Sequence, residues 1–262
     1  MPDRDTSLAV ARQLSGSWTQ GTHIDQLAGP WKPATRADGY AVQALWPELL
    51  GRRVAGWKIA ATSQAGQAHI AVSGPLAGPV FEHRVQASGA TVSLAANRMR
   101  VAECEVVFRM ARALSPRPQG WTRTEVLAAV ESVHPGLEVP DSRFAHFERA
   151  GEAQLIADCA CMCDMVLGAG VAADARLDSL ADLHVQAELS DGRRPDGVGR
   201  NALGDPCEAL VWLVNELGLT GRTLEAGQFV TTGACVVPIP VTPGVSVQAD
   251  FGWLGSISAR FA

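Results

Sequence analysis

Apolar positions recur at helical spacing over about the first fifty residues and at strand spacing over most of the rest. Thr6 and Ser7 are candidate caps for a first helix running to about Leu14. Thr35 and Asp38 form a capping-box pattern, Ala37, Ala41, Leu45 and Leu49 follow near helical spacing, and Gly51 closes this second helix. The texture then changes. Val54 to Ala61 reads as a strand with Lys58 inside it, Ser63 to Ile70 as a short helix, and 71–90 as loops and short strands. Val101 to Met110 is a predicted strand, Thr122 to about Val133 a predicted helix, and Leu137 to Val139 a short strand after the turn residues Pro135 and Gly136. The apolar run 155–168 reads as strand, and His184 to Leu189 alternates up to the turn Asp191-Gly192. Asp205, Pro206 and Glu208 start a helix that runs to Leu217 and stops at Gly218. Phe229–Gly233, Val245–Ala249 and Ser256–Phe261 complete a strand-rich C-terminal third. The pattern predicts an α+β fold, with a helical region over 1–53 and a mostly β body over 54–262.

Composition narrows the function. The chain has 262 residues, 47% of them hydrophobic, and a net charge of -5. No clustered positive charge suits a nucleic-acid backbone. The most apolar stretch, Leu155 to Ala173, contains Asp158 and Asp164, which are costly in lipid, so no membrane span is expected. The N-terminal residues have no apolar core flanked by positive charge, and a cytoplasmic location is the expectation. The six cysteines then read as free thiols. Cys159, Cys161 and Cys163 would share one face of a strand, and their spacing does not match the paired pattern of zinc sites.

The chemistry concentrates in Glu103-Cys104-Glu105. Strand side chains alternate, so the two glutamates stand on one face. Val106, Val107 and Phe108 follow, so the strand is partly buried. Adjacent buried carboxylates resist ionisation unless a cation lies between them. Glu138, between Leu137 and Val139, is a third such carboxylate. Three glutamates and no histidine favour Mg2+ or Mn2+ over zinc, with open coordination positions for a chelating 2-oxo acid. A solvated edge-strand face remains the alternative from spacing alone. Lys58, between Trp57 and Ile59, should lose charge through burial and have a lowered pKa, which suits a proton shuttle or a cation for a substrate carboxylate. The alternative is a lysine snorkelling from a strand end.

Several segments together resemble the 2-keto-4-pentenoate hydratase and 4-oxalocrotonate decarboxylase family, within the fumarylacetoacetate hydrolase superfamily. They are Gly56 to Ser63, Ala102 to Val106, Pro135 to Arg143, Ala157-Asp158, Leu203 to Pro206, Thr231 to Gly233 and Gly255 to Phe261, in the family's order from about residue 35 to the end. The resemblance implies a mixed β-sandwich roll, with a fumarylacetoacetate hydrolase-like catalytic domain over 54–262 behind the helical region. It places the metal ligands on Glu103, Glu105 and Glu138, the active-site lysine on Lys58, and substrate contacts on Thr62, Ser63, Leu76, Asp158, Cys159 and Thr232. It implies a small 2-oxo acid substrate, a homo-oligomer, and in some decarboxylases association with a partner enzyme of the pathway.

The chain departs from the family pattern at three places. Leu76 aligns with an aspartate that partners the lysine in hydratases. Cys159 and Cys161 replace an amide and a hydroxyl, and Asp205 replaces a histidine. The resemblance therefore implies a hydratase, with a decarboxylase as the alternative that Leu76 favours. Two further alternatives are a C–C bond hydrolase using a Glu-His pair, for which Glu82-His83 is the candidate, and a weakly active subunit that stabilises a partner.

Overall fold

The structure, a computed structural model, describes residues 3–29 and 31–262. Its helices are α1 (Arg4–Gln20), α2 (Arg36–Gln43), α3 (Trp46–Leu50), α4 (Gln64–His69), α5 (Arg123–Leu127), α6 (Glu152–Ala157) and α7 (Pro206–Leu219). Its strands are β1 (Val54–Ala60), β2 (Leu76–Phe81), β3 (Val85–Ala87), β4 (Ala90–Val92), β5 (Val101–Met110), β6 (Val130–Val139) and β7 (Asp164–Leu167). They continue as β8 (Val171–Ala172), β9 (His184–Leu189), β10 (Asp196–Val198), β11 (Phe229–Ala234), β12 (Ile239–Pro240), β13 (Ser246–Asp250) and β14 (Ser256–Phe261).

A nine-stranded mixed sheet runs β2-β1-β11-β5-β6-β7-β3, with β12 beside β5 and β8 beside β6. A five-stranded sheet runs β10-β9-β13-β14-β4. One apolar core pools side chains of both, among them Val106, Phe108, Leu137, Val185, Val247 and Phe261. The second sheet shows the alternation expected of one wet face: every other residue of β9 is buried. A second apolar cluster lies under α1, α2 and α3, where Trp18, Trp46 and Phe81 pack with ring centroids 5.7 to 6.5 Å apart. Among the described residues no helix is long and apolar enough to cross a membrane.

Several elements differ from the sequence expectation. The first helix starts earlier, because Asp3 rather than Thr6 or Ser7 is the cap, accepting from Thr6 N at 2.7 Å, and it continues to Gln20. The second divides at Ala44–Leu45, with Pro47 opening α3. The helix expected to reach Val133 stops at Leu127. Strand β6 takes over from Val130 and runs straight through Pro135 and Gly136. A side chain at Gly136 would meet Met165 Cε at 2.4 Å and Val107 Cγ2 at 2.6 Å, so glycine there allows close packing within the sheet.

The run 155–168 departs furthest from expectation. It is the end of α6, a tight turn, and then β7. Cys159, Ala160 and Cys161 all have left-handed backbone, with φ of 53°, 52° and 61°, so the three cysteines do not alternate on a strand face. Left-handed backbone costs a residue with a Cβ about 1–2 kcal/mol. The surroundings hold the turn. Arg143 forms a buried ion pair with Asp158 and donates to the Asp158 and Met162 carbonyls. Cys161 O accepts from Asp141 N at 2.9 Å. Gly78 lets Cys159 O approach to a point 2.1 Å from where a Cβ would stand. All six cysteines are buried and free.

Candidate active site

Strands β5 and β6 pair antiparallel with Glu103 opposite Glu138 and Glu105 opposite Gly136. Alternation along β5 and pairing across to β6 therefore gather three carboxylates on one sheet face, with ligand oxygens within 4.8 Å of one another. The parallel pair β1–β11 sets Lys58 opposite Thr231, and β11–β5 sets Thr231 opposite Val107, which brings Lys58 and Thr231 to the same face.

Glu105 is fully buried. Its Oε2 accepts from Thr231 Oγ1 and, at 2.8 Å, from Gly233 N. Its Oε1 and both oxygens of Glu138 have no hydrogen-bond donor. Lys58 Nζ lies 2.8 Å from Glu138 Oε1 as an ion contact lacking hydrogen-bond alignment, and donates to Ala160 O at 3.0 Å. The left-handed turn at 159–161 is what aims that carbonyl at the lysine.

Burial, with Glu138 adding to it, pushes Glu103 up to about 7. Burial and the carboxylates of Glu138 and Glu103 push Glu105 well above the usual range, and burial also raises Glu138, against the opposing pull of Lys58. For Lys58 the expectation of a lowered pKa is corrected. Burial does pull it down, but Glu138 and Glu103 outweigh burial and hold the ammonium above its ordinary value. One lysine against three carboxylates leaves an excess of buried negative charge and three unpartnered carboxylate oxygens. Those are the conditions that a hard divalent cation with oxygen ligands satisfies.

A cavity of about 520 Å³ opens over this face. Lys58, Glu103, Thr62, Ser63, Cys161 and Gly233 are on its wall. Glu105 and Glu138 sit deeper. Thr62 packs so closely on Gly233 that a Cβ there would lie 2.1 Å from Thr62 Oγ1. Ser63 Oγ caps α4, accepting from Gly66 N at 3.1 Å.

Four of the expected substrate contacts are not on that wall. Leu76 is fully buried in the core, opposite Ala60. Asp158 is consumed by Arg143 and Ser142, and Cys159 packs in the cluster under the helices. Thr232 has the opposite strand parity to Thr231 and donates to Val106 O at 2.9 Å. Thr231, Gly233 and the Ala160 carbonyl were not singled out from the sequence. The Thr-Thr-Gly motif was visible, but which threonine faces the site depends on the β1–β11 register. Among the described residues no Glu-His pair faces the cavity: Glu82 pairs with Arg53, and His83 packs on Trp18 and Phe81.

No protein-family model matches the chain, but it has full-length relatives among known proteins. It is 31% identical to 4-oxalocrotonate decarboxylase of Pseudomonas sp. strain CF600, over 98% of this chain and 97% of that one. It is 30% identical to 2-keto-4-pentenoate hydratase of Paraburkholderia xenovorans strain LB400, over 96% and 93%. The solved structure of 4-oxalocrotonate decarboxylase from Pseudomonas putida G7, complexed with magnesium and adipate, superposes with a TM-score of 0.89 at 27% identity, over 100% of this chain and 99% of that one. The chain belongs to the 2-keto-4-pentenoate hydratase and 4-oxalocrotonate decarboxylase family, a family of lyases.

Proposed function

We propose that this chain is a divalent-metal-dependent lyase acting on 2-oxo or 2-hydroxydienoate acids, and specifically a 2-keto-4-pentenoate hydratase-like enzyme. The observation that carries this reading is the face of three glutamates, with unpartnered oxygens, beside Lys58 at the inner end of a cavity. Glu103, Glu105 and Glu138 would hold Mg2+ or Mn2+, and the magnesium bound to the relative from P. putida supports Mg2+. The bound ion supplies Lewis-acid charge to the chelating oxygens of a 2-oxo acid, where negative charge develops. Lys58 supplies the second positive charge: Ala160 O takes one of its three N–H groups and Glu138 holds the ammonium by an ion contact, which leaves N–H capacity for a substrate oxygen. Thr231 and Gly233 N fix one oxygen of Glu105, so its other oxygen is aimed without side-chain freedom. Thr62 and Ser63, on the cavity wall, would touch substrate, while Asp158, Cys159 and Thr232 would act from one layer out by holding the turn and the strand.

The decarboxylase reading is supported by one observation. Among the described residues, Glu103 is the only carboxylate on the cavity wall, so no second carboxyl is at hand to move a proton to or from water. Incubation with Mg2+ and 2-hydroxypenta-2,4-dienoate should give 4-hydroxy-2-oxopentanoate. No product there, with CO2 released from 2-oxohex-3-enedioate, reverses the assignment. The family resemblance supports a homo-oligomer and a pathway partner, which light scattering with and without a candidate partner would measure. Six buried thiols support a reducing, cytoplasmic setting.

A further inference from the structure

We infer that this site selects acids whose distal end is uncharged and apolar and extends beyond a five-carbon chain. The inference rests on the reading proposed above. The cavity carries its charge at one end, where Glu103 and Lys58 meet the buried Glu105 and Glu138. The rest of the wall is apolar, formed mainly by Ile59, Ile70, Met99, Phe147, Val236 and Pro238. Among the described residues on that wall there is no arginine, and no lysine other than Lys58. Its ammonium is already engaged by Glu138 and Ala160 O. Cys161 is buried and its thiol is pushed up to about 12, so it behaves as a small apolar group. Asn201 directs its amide to Cys235 O at 2.8 Å, and Ser63 Oγ is the cap of α4.

His69 is the remaining basic group, exposed at the mouth with its ring edge-on to Phe147 at 5.9 Å. A second carboxylate on the substrate would therefore leave water for an apolar wall without a cation to meet it. An alkyl or aryl tail gains by the same burial. The volume agrees: about 520 Å³ falls within the roughly 300–1,000 Å³ that encloses drug-sized ligands, and a five-carbon acid leaves most of it unfilled.

The test separates this inference from the proposed function. With Mg2+ present, kcat/KM is measured for 2-hydroxypenta-2,4-dienoate, its 5-methyl, 5-propyl and 5-phenyl homologues, and 2-hydroxyhexa-2,4-dienedioate. Binding of 2-oxopentanoate, 2-oxooctanoate and 2-oxooctanedioate is measured by calorimetry. Each added methylene should raise kcat/KM or affinity about threefold to fourfold until the cavity is filled. The diacids should fall at least tenfold below the monoacids of equal length. Turnover with the diacid equal or preferred overturns the inference and leaves the lyase reading standing. No turnover of any dienoate, with 2-oxooctanoate still bound tenfold more tightly than its diacid, sinks the hydratase reading and supports the inference. Ile70→Arg should shift the binding ratio at least fivefold toward the diacid, and no shift counts against the inference. A selective loss of diacid binding in His69→Leu would make the imidazole a carboxylate site and overturn it.

Discussion

Glu103 stands close to its half-protonated point at neutral pH in the metal-free protein, so protons and cation compete for the same oxygens. Cation binding requires the deprotonated form, so Mg2+ affinity should weaken as pH falls from 8 to 6, with protons released on binding. Calorimetry in two buffers of different ionisation heat measures that release. Stability follows the same sign. The carboxyl titrates near 4.5 when unfolded and at about 7 when folded, so between those values the folded chain binds more protons. Stability of the metal-free protein should fall as pH rises through that window, and Mg2+ should remove the slope. Glu105→Gln tests the ligand set directly. Thr231 and Gly233 can still donate to the amide oxygen, so the fold should survive and the melting temperature in chelator should not drop, while Mg2+ affinity falls on the order of 100-fold. Asp158→Asn is the contrasting case. It strips the counter-charge from the fully buried Arg143 and should cost about 3–5 kcal/mol in a denaturant titration.

Among the elements, the turn at 159–161 and strand β11 place the site's backbone groups, and each depends on one glycine. Gly233→Ala, at φ 102° with Thr62 Oγ1 in the way, and Gly78→Ala, pressed by Cys159 O, should each lose roughly 2–4 kcal/mol and most activity. Gly74→Ala, with open space around it, should change stability by less than about 0.5 kcal/mol. These elements also mark where the sequence stops being legible. The E-x-E strand could be read because alternation and apolar neighbours are local signals. Glu138 carried its own apolar context, but its place opposite Glu103 is a pairing between segments far apart in sequence. The raised pKa of Lys58 is illegible in the sequence for the same reason: its sign depends on Glu138 across the sheet, not on Trp57 and Ile59. The left-handed turn left no trace because Cys-Ala-Cys carries neither glycine nor asparagine, and an apolar run of that length reads as strand. The sequence predicts α5 too long because Val126, Ala129 and Val130 keep an apolar spacing across the point where the helix ends and β6 begins.

For the whole molecule, a cation that binds only the folded chain couples metal content to global stability. Mg2+ at about 100 times its Kd should add roughly 2.7 kcal/mol, which for a chain of this size is a rise of about 5–10 °C in melting temperature, reversed by chelator and absent in Glu105→Gln. The same linkage bears on how the sheet assembles. Glu103 faces Glu138 only when β5 and β6 meet in one alignment, and a slip by a single residue would turn Glu103 and Glu105 into the apolar layer. An ion captured during refolding would thus discriminate between correctly and wrongly paired chains, and the metal centre would serve as a proofreading device for the central hairpin before it ever meets a substrate.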